Sequence, residues 1–126
     1  MTNHVHMIIS SKQDEVKDIM RDMKSYTSRM LKQIIEKNQQ ESRKEWILKM
    51  MVKAGTENKN NNDFQLWQQH NHPIILDTIF LIDQKLNYIH NNPVFAGFVE
   101  KPEEYLYSSA RDYAGLEGLI EITIIE

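Results

Sequence analysis

Apolar positions along this chain change period several times, and each change marks an element. In "HVHMIIS", residues 4–10, Val5, Ile8 and Ile9 favour extended backbone and the serines at 10 and 11 end it, which predicts a strand. Val16, Ile19, Met20, Met23, Tyr26, Met30, Leu31, Ile34 and Ile35 then recur at helical spacing with Lys and Arg between them. That pattern predicts a helix from about residue 13 to 37, with Ser11 as N-cap and Asp14, Glu15 and Asp18 where the helix dipole favours acid. "NQQES" breaks it, and a shorter helix starting at Glu41 or Ser42 runs through "RKEWILKMMVKAG" until Gly55 stops it.

"TENKNNND" has no apolar anchor and reads as a surface loop. In "FQLWQQHNHPIIL", Phe64, Leu66 and Trp67 can pack, while Pro73 prevents a continuous helix. From Asp77, "DTIFLIDQKLNYIHNNP" predicts a helix with Ile79, Ile82, Leu86 and Ile89 on one face. Pro93 should end it near Asn91 or Asn92, because the residue before a proline is pushed out of helical backbone. A further helical stretch near residues 102–110 leads to Gly115 and Gly118, and "LIEITIIE" closes the chain as a β-branched strand. No internal repeat is visible.

Composition narrows the chemistry. At 126 residues the chain fits one domain able to bury a core, and the absence of cysteine excludes disulfides, thiolate metal sites and a cysteine nucleophile. No apolar run approaches the roughly 20 residues that span a bilayer, and the first residues lack the basic region of a signal peptide. The expectation is a cytoplasmic protein without a membrane partner. Net charge is -3 but unevenly spread. Residues 1–60 carry 12 Lys/Arg against 8 Asp/Glu, and residues 61–126 carry 3 against 10. A basic front half suits a phosphate backbone; a solvated helix of mixed charge explains the same numbers.

Candidate chemistry starts with the two histidines. Side chains alternate on a strand, so His4 and His6 share a face about 6.5–7 Å apart at the backbone, a spacing that lets two imidazoles converge on one ion. As a bare pattern His-x-His is common, and two polar residues that happen to lie near a terminus are the alternative. Tyr88 and Asn92 are four apart on the predicted helix and share a face, so a phenol and an amide oxygen come together. A tyrosine oxygen can attack a phosphodiester and retain the bond energy in a phosphotyrosine link; a half-buried packing tyrosine is the alternative. Asn92 could give a metal a carbonyl oxygen, or simply end the helix. His90 points off that face, "HNH" at 70–72 reads as structural histidines in a loop, and Tyr26 reads as core. Lys17, Arg21, Lys24, Arg29 and Lys32 could follow a DNA backbone, and Trp46 or Trp67 could stack on bases, although both tryptophans fit a core better.

The order of these pieces is more specific than any one of them. "NHVHMII", "FQLWQQHNHPI" and "DQKLNYIHNNPVFAGFVEKPEEYLYSSARDYAG" resemble the single-tyrosine HUH transposases, in particular the transposase IS200-like or REP-associated tyrosine transposases, over nearly the whole chain. The resemblance implies an α+β fold, a small antiparallel sheet with helices packed on it, in a ferredoxin-like arrangement. It implies a divalent metal, Mg2+ or Mn2+, on His4, His6 and Asn92, with Tyr88 as the nucleophile. It also implies nicking and rejoining of single-stranded or hairpin DNA through a 5′-phosphotyrosine. In that family a strand, a helix and a further strand precede the histidine strand. The expectation is therefore a single domain over residues 1–126 lacking those first elements, with an exposed sheet edge that a second copy in a homodimer could cover. A protein that binds single-stranded or hairpin DNA without cutting it is the competing expectation.

Overall fold

The structure, a computed structural model, describes residues 3–60 and 63–125. Its elements are helices α1 (Val16–Lys37), α2 (Lys44–Thr56), α3 (Ile79–Phe95) and α4 (Ala110–Tyr113), with a 3-10 turn at Pro102–Glu104 before α4. The chain divides into two compact units, Ile9–Pro73 and a second made of the N-terminal segment through Ile8 together with the chain from Ile74 onward.

In the first unit α1 packs against α2. α1 begins at Val16, not near residue 13, because Ser11 caps a tighter turn: its hydroxyl accepts from the backbone N–H groups of Gln13 (3.3 Å) and Asp14 (3.0 Å). Gly55 does not stop α2. It lies inside the helix, buried, and a Cβ there would stand 2.5–2.8 Å from the backbone of Phe64. The absent side chain lets residues 64–67 cross the helix end, where the Gln65 N–H donates to the Met51 carbonyl at 2.8 Å. The same segment is tied to α1. Trp67 Nε1 donates to Thr27 Oγ1 at 2.8 Å, and that hydroxyl donates on to the Met23 carbonyl at 2.7 Å. Lys24 Nζ donates to the Gln68 carbonyl at 2.8 Å and to Asn71 Oδ1, while the Lys32 ammonium sits 5.3 Å from the Phe64 ring centre. The "TENKNNND" loop includes Asn61 and Asn62, which lie outside the described residues.

In the second unit Thr78 caps α3 by accepting the Leu81 N–H at 3.2 Å. The helix does not end before Pro93 but continues to Phe95 with Pro93 buried inside it. Its actual stop is Gly97. At φ +75°, its N–H bonds the Val94 carbonyl (2.9 Å) and the next N–H, of Phe98, reaches back to the Pro93 carbonyl (2.9 Å). This paired bonding satisfies the last carbonyls and needs left-handed backbone, which glycine supplies without steric cost. α4 ends the same way at Gly115, also at φ +75°, with Gly115 N–H to Asp112 O (3.1 Å) and Leu116 N–H to Arg111 O (2.9 Å).

The 3-10 turn packs on both α3 and α4. Its Glu104 carboxylate accepts the N–H groups of Glu100 (3.1 Å) and Lys101 (3.0 Å), and Arg111 reaches the Glu103 and Glu117 carbonyls. At the centre His90, 9% exposed, shares a 3.0 Å hydrogen bond with Ser109 and meets Tyr113 edge-on at 5.0 Å. Burial lowers its pKa below the ordinary 6.5.

The expected antiparallel sheet is overturned: among the described residues there is no strand, so neither an α+β class nor a ferredoxin-like arrangement holds. Residues 4–10 and 119–125 are irregular backbone without a ladder; Glu126 lies outside the described residues. β-branched residues favour extended backbone, but a strand exists only when a second segment about 4.8 Å away receives its N–H and C=O groups. Here the Ile125 N–H goes to the Tyr113 hydroxyl instead, at 2.9 Å. Val5, Met7, Ile120 and Ile124 are left exposed. No helix among the described residues is long and apolar enough to cross a membrane.

Candidate active site

The site forms in the second unit, where the histidine segment lies beside α3. Four-residue spacing on that helix places Tyr88 and Asn92 on one face. The His6 ring stands edge-on to Tyr88, with centroids 5.5 Å apart, and the His4 and His6 rings meet edge-on at 4.9 Å. Asn92 Nδ2 is 3.5 Å from His6 Nε2, the outer limit of a hydrogen bond. All four residues expected at the site are thus brought together, although His4 and His6 reach it from irregular backbone and not from a strand.

Two features bear on whether this set fits a divalent ion. For a metal–nitrogen bond of about 2.1 Å, two imidazoles on one ion have ring centres roughly 4.6 Å apart at a right angle and about 5.3 Å apart at a tetrahedral angle. The observed 4.9 Å falls in that range. His4 Nδ1 donates to Asn3 Oδ1 at 2.7 Å, and in that tautomer Nε2 is the ring nitrogen that could bind an ion. Desolvation first, and the neighbouring His4 second, lower the His6 pKa, which favours the neutral, ligating form. Turning the Asn92 amide by half a revolution presents Oδ1, an acceptor a hard cation takes, in place of Nδ2. The donor set fits. Among the described residues no cluster of three His, Asp or Glu side chains could hold a metal, and beside the two histidines the available further donor is the Asn92 amide.

A cleft of about 290 Å³ opens at this point. His4, His6, Asn92 and the buried Pro93 form one part of its lining, and Tyr105, Tyr107 and Ser108 another. These last three carry no role in the sequence-based expectations. Their signal was the density of hydroxyl-bearing residues in "YLYSS", which no helical or alternating period explains. Tyr88 itself is 51% exposed, so its hydroxyl is reachable from solvent.

The first unit carries the basic helix. Arg21, Lys24 and Arg29 line a groove of about 610 Å³ together with Ser25, Ser28 and Trp67. The cations are not equivalent. Arg21 is held by Asp18 (2.6 Å) and Asp22 (2.9 Å), Lys24 by Gln68 and Asn71, and Lys32 by Glu36. Lys17 and Arg29 are exposed and make no ion pair among the described residues. Trp67 is half-buried, hydrogen-bonded to Thr27 and part of the groove lining, whereas Trp46 is 61% exposed, and Tyr26, expected in the core, is 59% exposed. His70 and His72 both adopt positive φ (68° and 47°) in an exposed loop, with the Asn71 side chain between them bound by Lys24.

A sequence profile described as transposase IS200-like matches residues 1–63, half of the chain. The chain belongs to the transposase IS200-like family. Membership makes it a transposase, a DNA-processing enzyme with DNA as its partner, in a family that generally uses a divalent metal. The matched stretch contains His4, His6 and the basic helix; Tyr88 and Asn92 lie beyond it, and their place in the site rests on the geometry above. No curated protein and no solved structure shows significant similarity to the chain.

Proposed function

We propose that this transposase nicks and rejoins single-stranded DNA through a covalent link to Tyr88, the whole chain working as one transposase domain. The observation that supports this most is that His4, His6 and Asn92, from distant parts of the sequence, line one cleft, with Tyr88 edge-on against the His6 ring. His4, His6 and Asn92 would hold Mg2+ or Mn2+, which when bound supplies Lewis-acid polarisation of the scissile phosphate. The Tyr88 oxygen attacks phosphorus and its proton passes to water. The bond from phosphorus to the 3′ oxygen breaks, and that oxygen takes a proton to become a free 3′-hydroxyl. The downstream strand is then held as a 5′-phosphotyrosine. Because one ester replaces another, a 3′-hydroxyl can reverse the step without ATP.

Lys17, Arg21, Lys24, Arg29 and Lys32 are assigned to the DNA backbone, Lys17 and Arg29 foremost since their charges are not already paired. The test is a 3′-end-labelled hairpin oligonucleotide incubated with protein and Mn2+. A denaturant-stable adduct should form, disappear with chelator and be absent from Tyr88→Phe. One observation favours the second reading, DNA binding without cutting: among the described residues no strand flanks the histidine segment to fix its imidazoles. Retention of DNA without any adduct, under Mg2+ or Mn2+ and across hairpin and unstructured strands, would decide for it.

A further inference from the structure

We infer that Tyr107, backed by Tyr105, is a stacking platform for an unpaired base of the strand entering the cleft. The inference rests on the reading that this cleft receives DNA, and it adds which part of the nucleotide is gripped there.

Tyr107 is 76% exposed, although a packing tyrosine normally buries its ring. It is nonetheless held in place. The Ser108 N–H bonds the Tyr105 carbonyl at 3.1 Å, closing a turn over residues 105–108, and the Ser108 hydroxyl accepts the Ala110 N–H at 3.1 Å to anchor that turn at the start of α4. Behind Tyr107 the aromatic rings continue. Its ring meets Tyr105 edge-on at 5.8 Å, and Tyr105 lies 6.3 Å from Phe98 at an interplanar angle of 33°. A supported ring with a bare face is the arrangement on which bases of single strands stack, whatever their sequence.

Position adds the second argument. Tyr105 and Tyr107 line the same cleft as His4, His6 and Asn92, so a base on this ring belongs to a nucleotide near the scissile phosphate. A base outside a duplex can leave its stacked neighbours and lay a face on a protein ring, which gives a physical reason for single-stranded substrate.

The experiment uses the full chain carrying Tyr88→Phe, so that binding is read without cleavage. Fluorescence anisotropy compares an oligothymidine about 20 nucleotides long with an abasic strand of the same length. Tyr107→Ala should weaken oligothymidine binding about 10-fold, the scale of one stacked base. Tyr107→Phe, which keeps the ring, should bind nearly as the parent does, and the abasic strand should not distinguish the three proteins. Equal affinities for oligothymidine in all three, equal losses on both strands, or a loss in Tyr107→Phe matching that in Tyr107→Ala would each overturn the platform. Adduct formation by the Tyr88-containing protein is scored separately, so failure of the cleavage reading and failure of the platform are distinguishable.

Discussion

His90 shows how one side chain can sit beside the chemistry without taking part in it. Two residues after Tyr88 on a helix, it points to the opposite side, into contact with Ser109 and Tyr113. Burial favours its neutral form, so its pKa lies below the 6.5 it has when unfolded. The unfolded chain therefore binds the proton first as pH falls, and this part of the stability, complete above about pH 6.5, declines below it. Urea denaturation at pH 8 and pH 5 should show the wild-type protein losing stability at the lower pH. His90→Gln, which cannot titrate, should lose less over the same interval. The site residues behave differently from His90 in sequence terms. Tyr88 and Asn92 were legible because four-residue spacing on a helix fixes a shared face. Tyr107 was not legible, because its position follows from a turn that no periodic pattern records.

Two glycines separate local propensity from packing at the level of elements. Gly55 lies within a helix, where alanine is intrinsically better by about 1 kcal/mol. A Cβ there would press on the Phe64 backbone at 2.5 Å, and that backbone is also bonded to Met51 at the next residue. Gly55→Ala should therefore destabilise, by about 1–3 kcal/mol as overpacking does, and weaken the docking of Trp67 against Thr27. Urea titration with tryptophan fluorescence reads both effects. Gly97 has open space around it, so Gly97→Ala should cost only about 1–2 kcal/mol, all of it from the backbone at φ +75°. Stabilisation by Gly55→Ala would show that the crossing segment yields. The helix ends illustrate the same division. Proline at 93 predicted a stop, but its missing N–H removes only one bond near the C-terminus. The glycine-centred cap at Gly97 outweighs that preference.

For the molecule as a whole, the buried apolar side chains among the described residues are those of Met51, Pro93 and Ala110, while Ile75, Ile79, Phe80 and Ile120 stay largely exposed. α1 is amphipathic as its sequence pattern required, but among the described residues no sheet covers the exposed apolar side chains. Charge is the other property of this scale. Basic residues concentrate in the N-terminal half, and DNA binding should weaken with salt at about 0.7 logarithmic units per phosphate neutralised on a single strand. Affinity for an oligothymidine measured across salt concentrations should give a slope that Arg29→Gln and Lys17→Gln each reduce by about 0.7. Arg21→Gln should change it less, since Asp18 and Asp22 already hold that guanidinium. An unchanged slope in Arg29→Gln and Lys17→Gln would remove the basic helix from the DNA interface.

The sequence by itself determined the long helices and the face each residue occupies, because period and charge placement are local properties. It also determined the donor types, two imidazoles, an amide and a phenol, that the family resemblance joined into one site. Only the tertiary structure decided that residues 4–10 and 119–125 form no sheet. Extended backbone becomes a strand through a partner, and no local preference supplies one. The tertiary structure likewise decided that His6 meets Tyr88 and that Tyr107 faces the same cleft. Those contacts depend on where α3, the 3-10 turn and α4 pack, a matter of burial shared among distant residues and not of any stretch read alone.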